Sequence, residues 1–411
     1  MKKTAIFIFL LSSILFFGCK EDKNPLENLS EDIKYLASDS LKGREIGTEG
    51  EKMAADYLAA EFKEIGLKPA GTEGYFQPFN VKKSNNPHEQ PEMSLESDSS
   101  GITGYNVLGL IDNPSDEIMV IGAHFDHLGM GGVSSLDRSG AAIHNGADDN
   151  ASGTAALLHL ARTLSEKNLN RDILFFAISG EEKGLWGSNY YAKNPTVDLE
   201  KVNFMINMDM IGRLDTTRGL AVHGVGTSPS WSGVLDIANT HDLKLIKKES
   251  GVGPSDHTSF YLQDIPVLHF FTGQHEDYHK PTDDWDKINF DGILKVSDLI
   301  SNLVIDLDDE EKLAFTKTKN ESEDTPRFTV SLGVIPDYLF DGEGMRIDGV
   351  SDDRPAQKAG IKKGDVVIQM GDSAVTDMMS YMRALSAFKK GDKTEVKVKR
   401  EDSVFTYSVI F

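Results

Sequence analysis

The chain has 411 residues, 39% hydrophobic and 26% charged, the make-up of an ordinary globular protein with room for more than one domain. A formal net charge of −22 argues against nucleic-acid binding, because phosphates would be repelled. The one cysteine, Cys19, rules out an internal disulfide and is poor material for a thiolate-bound zinc.

Residues 1–19 read as a leader rather than as fold. "MKK" is a short basic start, and "TAIFIFLLSSILFFG" is an apolar run too short for a comfortable transmembrane helix, as in a secretory signal. The run ends in "LFFGC", which resembles a bacterial lipoprotein cleavage site with Cys19 as the lipidated N-terminus; Phe16 stands where that pattern prefers leucine. The expectation is an exported, membrane-anchored protein facing the periplasm or the cell surface. Residues 20–29 read as a polar tether, and Ser30 as the cap of a helix through "EDIKYLASD". A second helix follows in "GTEGEKMAADYLAAEFKEIGL", with Thr48 and Glu51 as a capping box and Gly66 as its stop.

From about residue 105 short apolar strands alternate with helices. "EIMVIGAHF", "DILFFAISG", "VNFMINMDM" and "IPVLHFF" read as buried strands, with "SGTAALLHLARTLSEK" as a helix between the first two. This predicts an α/β fold, a three-layer sandwich around a mostly parallel central sheet, over residues 30–305. Residues 306–327 are charged and poor in apolar residues, as in a linker, and residues 328–411 form a small, mainly β module.

Each of the four strands is followed, or ended, by His, Asp or Glu, where ligands bind in such sheets. "GAHFDH" supplies His124 and Asp126, "NGADDNASG" Asp148 and Asp149, "SGEEKG" Glu181 and Glu182, "NMDMIGR" Asp209, and "EDYHKPTDDWD" Tyr278 and His279. So many carboxylates on one face repel one another and need a cation. Imidazole and carboxylate without thiolate suit zinc or a similar divalent metal.

These blocks resemble the dinuclear zinc exopeptidases that include secreted bacterial aminopeptidases, glutamate carboxypeptidases and glutaminyl cyclases. The resemblance implies two zinc ions per chain. It makes Asp149 the carboxylate shared by both, with His124 and Asp209 completing one site and Glu182 and His279 the other. It implies a hydroxide held between the two metals, with Glu181 beside it as general base. Asp126 would accept the other ring N–H of His124. Tyr278 matches a position where some members use a phenol to stabilise the oxyanion.

Other polar residues are given blander roles. Asp148 reads as structural. His127, His144, His257, His269 and His275 are not needed by the site and read as surface or hydrogen-bonded histidines. Ser255, Asp256 and His257 mimic a triad in one string, but sequence neighbours rarely have that geometry. Arg213 is expected in a buried salt bridge rather than on a substrate carboxylate.

The last module, with "SLGVIPDY" and "AGIKKGDVV" ahead of the helix "DMMSYMRALSAF", is similar to a PDZ domain. Ser331, Leu332, Gly333 and Val334 occupy the loop whose backbone amides hold a peptide C-terminus in that family, although the last position there is usually larger than valine. The combined expectation is a zinc aminopeptidase acting on peptides with a free N-terminus, with protein or peptide C-termini at the PDZ domain, a lipid anchor and no nucleic acid. A glutaminyl cyclase and a non-catalytic peptide-binding scaffold are the alternatives.

Overall fold

A computed structural model describes residues 24–82, 92–94, 101–319, 329–340, 342–351 and 353–411. Residues 1–19, read as a leader ending in Cys19, lie outside the described residues. In chain order the first body contains α1 (Pro25–Leu36), α2 (Glu49–Ile65), β1 (Lys68–Pro69), β2 (Phe76–Lys82), β3 (Glu92–Ser94), β4 (Ile102–Ile111) and β5 (Ser115–His124). It continues with α3 (Gly153–Ser165), β6 (Arg171–Ile178), α4 (Trp186–Lys193), β7 (Val202–Met208), β8 (Leu220–His223) and α5 (Trp231–Ala238). Then come β9 (Leu245–Lys248), α6 (His257–Tyr261), β10 (Val267–Phe271) and α7 (Phe290–Asp306).

The main sheet runs β3-β2-β4-β6-β5-β7-β10-β8-β9, with β1 against β4. Its parallel part is the centre: β6, β5, β7 and β10 all point the same way. The flanks are mixed, with β4 antiparallel to β6 and β8 antiparallel to β10. The four strands singled out in the sequence are these four central ones, so their carboxyl ends share one edge.

Strand alternation divides the core into two layers. In β6, Ile173, Phe175 and Ala177 join the core formed with α1, α2, α3, α5 and α7. Leu174, Phe176 and Ile178 face the other way, into a core with Tyr191 of α4 and Phe260 of α6.

Three local readings change. The first helix starts at Pro25, not after Ser30: Asn24 Oδ1 accepts from Glu27 N at 2.9 Å, and Glu27 reaches back to Asn24 N at 3.3 Å. Residues 25–29 of the predicted tether are therefore helix, with proline at the position that needs no N–H. At α2, Thr48 caps Glu51 N, but the buried Glu51 carboxylate instead accepts from Gly47 N, Tyr105 N and Ser179 Oγ. Only half of the capping box forms. Residues 307–318, read as linker, are fastened to the first body: Asp308 accepts from the amides of Asn170 and Arg171, Leu313 is buried, and Thr318 bonds to Tyr261. A segment with few apolar residues can still dock when its carboxylates and amides find partners.

The second body is an antiparallel sheet of β11 (Val334–Pro336), β12 (Met345–Val350), β13 (Val366–Met370), β14 (Ser373–Ala374), β15 (Lys393–Arg400) and β16 (Ser403–Ile410). The helices α8 (Pro355–Ala359) and α9 (Met378–Ser386) complete it. It has its own core, including Leu332, Ile347, Val367, Leu385, Val396 and Val398. Among the described residues no helix is long and apolar enough to cross a membrane.

Candidate metal centre

His124 is the last residue of β5, and Asp209 directly follows β7. After β6 the chain turns sharply: Gly180 (φ 76°) and Gly184 (φ 104°), both left-handed, flank the short turn Glu181–Lys183. A side chain on Gly180 would be strained by the positive φ and would press on Ile46, which favours glycine there. Outside regular strand geometry, both adjacent glutamates can line one cavity.

The predicted ligands converge. His124 Nε2 lies 3.3 Å from Asp209 Oδ1 and 3.5 Å from Asp149 Oδ1. On the other side, His279 Nε2 lies 3.2 Å from Asp149 Oδ2 and 3.3 Å from Glu182 Oε2. Asp149 thus turns one oxygen to each group. Its own backbone N–H donates to Asp283 Oδ2 at 3.1 Å. His279 Nδ1 faces the Ser134 carbonyl at 3.0 Å, which leaves Nε2 for the cluster.

Asp126 lies beside the other ring nitrogen of His124. Its carboxylate is 3.6 Å from His124 Nδ1, while its backbone carbonyl is closer, at 3.3 Å. The carboxylate also accepts from the backbone N–H groups of Glu181 (3.0 Å) and Glu182 (3.4 Å), pinning the glutamate turn.

His127 was set aside in the sequence, and the structure brings it in. It is fully buried, with Nδ1 2.7 Å from Glu182 Oε1 and 3.9 Å from Asp149 Oδ2. Its other ring nitrogen, Nε2, is buried and meets no partner among the described residues. Donor atoms of His127, Asp149 and Glu182 lie within 4.8 Å of one another, as do those of His124, Asp149 and Asp209. Unpartnered buried donors among carboxylates, without thiolate, fit a divalent cation. The available signal was its place one residue after Asp126, in the same block as His124.

The protein groups alone balance their charges by protonation. Burial works against a charged His279, yet Glu182 and Asp149 hold its imidazole up to about 11. Burial pulls His124 down, and Asp209 and Glu181 more than offset it. Burial raises Glu181 well above the usual carboxylate range; His124 opposes this, while Asp209 and Asp256 add to it. Burial also raises Tyr278, reinforced by Asp149 and Glu182, so its phenol stays protonated. Its ring stacks on His279 at 3.8 Å.

A fully buried arginine, Arg44, ties the surroundings together. Its guanidinium donates to the carbonyls of Phe125 (2.7 Å), Asn145 (2.5 Å), Gly146 (3.1 Å) and Leu36. Burial lowers it to about 10, which leaves it charged at neutral pH. Nothing in its own neighbourhood of the sequence marked it.

Other residues fall as follows. Asp148 accepts from Gly212 N at 2.6 Å and meets His275 Nε2 at 3.0 Å, a structural role. Arg213 lies 3.2 Å from both Asp277 and Asp283. His144 bonds to Ser135 and Ala142. His257 and His269 depart from the expectation: both are buried and make no hydrogen bond among the described residues. Ser255 Oγ accepts from Asn207 Nδ2 at 2.8 Å while His257 stacks on His269, so the Ser-Asp-His string forms no triad.

The cluster opens into a cavity of about 490 Å³. Over residues 106–304 the sequence matches peptidase family M28, and over residues 312–410 the PDZ domain. This chain carries a peptidase M28 domain followed by a PDZ domain. The chain is 26% identical over 225 residues to "Aminopeptidase YwaD" of Bacillus subtilis, covering 51% of this chain and 46% of that one. It therefore spans less than half the length of that curated relative. The fold is similar to an aminopeptidase from Aneurinibacillus sp. strain AM-1 (TM-score 0.53, 17% identity, 71% of this chain and 95% of that one). It is equally similar to a Bacteroides thetaiotaomicron glutaminyl cyclase (TM-score 0.54, 18% identity, 68% and 97%).

In the PDZ domain, Ser331 is exposed and its Oγ accepts from Gly333 N at 3.0 Å, Leu332 is buried, and Gly333 is left-handed (φ 78°). Val334 opens β11, which forms one end of the strand order. The side chain of Arg354 lies against Gly333, so a cation borders the loop.

Proposed function

We propose that this chain is a zinc aminopeptidase that removes N-terminal residues from peptides. The supporting observation is Asp149, which faces His124 and Asp209 with one oxygen and His279 and Glu182 with the other. His124, Asp149 and Asp209 would hold one zinc, and Asp149, Glu182 and His279 the second, with His127 beside the latter. Bound zinc supplies Lewis acidity to the scissile carbonyl and acidifies the attacking water.

The protein groups divide the remaining work. Glu181 faces the same cavity and takes the proton of the attacking water. It then passes that proton to the leaving amine. Tyr278, held protonated, donates to the oxyanion. The acidic cavity floor attracts the substrate's α-ammonium. Arg213 is engaged by two aspartates, which leaves it unsuited to clamp a substrate carboxylate. The basic start and apolar run ending at Cys19 support export and lipid anchoring.

The test pairs metal content with hydrolysis of an N-terminal aminoacyl-amide panel, for the wild type and Glu181→Gln. About two zinc ions per chain in both proteins, with activity about 10²–10⁴-fold lower in the variant, is the expected result. One zinc or none, or a loaded wild type without turnover, overturns it. Cyclisation of N-terminal glutamine would then assign the second fold relative's chemistry.

A further inference from the structure

The cavity floor is acidic, but one wall is not. Away from Asp149 and the glutamates, the lining includes His223, His269, Phe271 and Tyr338. The first three come from β8 and β10 of the M28 domain. Tyr338 comes from the PDZ domain, two residues after β11 ends.

Tyr338 is held in place from both sides. Asp337, 2% exposed as a side chain, meets Arg218 of the M28 domain at 2.9 Å and accepts from Arg346 Nε and Leu339 N. Asp348 meets the same Arg218 nitrogen at 2.7 Å. Leu339 is buried against Ala221, Ile246 and Phe271. A side chain at Gly273 would press on Leu339 at 3.0 Å. The tyrosine between these anchors packs edge-on to Phe271, with ring centroids 6.1 Å apart. A half-buried, doubly paired arginine and a buried leucine fix its position.

We infer that Tyr338 is a specificity-determining residue, supplied by the PDZ domain, that closes the pocket for the substrate's terminal side chain. The pocket selects large uncharged side chains. This rests on the aminopeptidase reading above. The wall offers aromatic and imidazole surface but no formal charge: burial lowers His223 to about 4 and His269 well below its usual value. Neutral rings stack well on apolar or aromatic groups. They cannot offset the cost of bringing a charged side chain out of water, and the carboxylate floor repels acidic ones.

Three full-length variants test it: Tyr338→Ala, Tyr338→Phe and Arg218→Met. For Tyr338→Ala, the ratio of kcat/KM for leucine- and phenylalanine-amides to that for alanine-amide falls about tenfold, with zinc content and unfolding temperature held. Tyr338→Phe keeps the ratio. Arg218→Met, which frees the anchor outside the cavity lining, lowers it. An unchanged ratio in Tyr338→Ala overturns the inference and leaves the aminopeptidase reading standing. A turnover-independent arm uses calorimetry of leucyl-glycine and alanyl-glycine on Glu181→Gln, with and without Tyr338→Ala. If the wild type cleaves nothing but leucyl-glycine binding still depends on Tyr338, the reading fails and the pocket stands. If neither dipeptide binding nor turnover depends on Tyr338, the pocket assignment fails.

Discussion

Two groups of three histidines lie within one domain in opposite surroundings. His124, His127 and His279 stand among carboxylates at the ends of the central strands. Nearby, His257 stacks on His269 with ring centroids 4.5 Å apart, and His223 lies tilted against His269 at 5.4 Å. Burial disfavours a charged ring in both groups. Carboxylates reverse that for His124 and His279, whose proton affinity rises. At His257 and His223 burial goes unopposed; His223 adds to it at the first and Lys248 at the second, lowering them to about 3 and about 4. A histidine's burial says little about its charge; what it is buried beside decides.

The largest predicted effect breaks the first group. Chelation removes the cation that balances Asp149, Glu182 and Asp209. At a free-zinc concentration a thousandfold above Kd, bound metal contributes about 4 kcal/mol to stability, so chelator should lower the unfolding free energy measured by denaturant titration by that amount. No shift would mean that the carboxylates are balanced without metal. A smaller effect sharpens the boundary of that group. His127→Gln should weaken zinc binding about 10–100-fold in a competition titration, whereas His257→Gln should leave it unchanged. Equal effects would erase the distinction between the groups.

The smallest effect belongs to the stack and depends on pH. Unfolded histidine takes up a proton near pH 6.5, whereas folded His257 resists until about 3. Below pH 6.5 the unfolded chain therefore binds more protons. Stability falls as the pH drops, by about 1.4 kcal/mol per pH unit for a fully shifted histidine, until the folded value is reached. His257→Phe should flatten this slope by about that amount in urea unfolding at about pH 7 and about pH 5. An unaltered slope would place His257 in water rather than in the stack.

The legible part of the site came from local pattern. Apolar runs ending in His, Asp or Glu identified the central strands and the cluster at their ends. Gly180 and Gly184 marked the turn that lets Glu181 and Glu182 share a cavity. What local pattern could not reveal depended on contacts distant in sequence. Arg44 bonds to carbonyls near residues 125 and 145, and Tyr338 reaches the cavity only because two domains dock. His257 and His269 looked like ordinary polar residues because a sequence does not display a missing hydrogen bond. Asn24 was passed over as a cap because Ser30, a plausible cap itself, lay closer to the apolar residues.

The position of Tyr338 also sets an order of assembly. Domains of a growing chain fold from the N-terminus onward, so the carboxylate centre can form before residue 338 has left the ribosome. Until the second domain folds and docks, that centre has one wall of its cavity missing. The same unfinished cavity would be exposed in any chain clipped after residue 319.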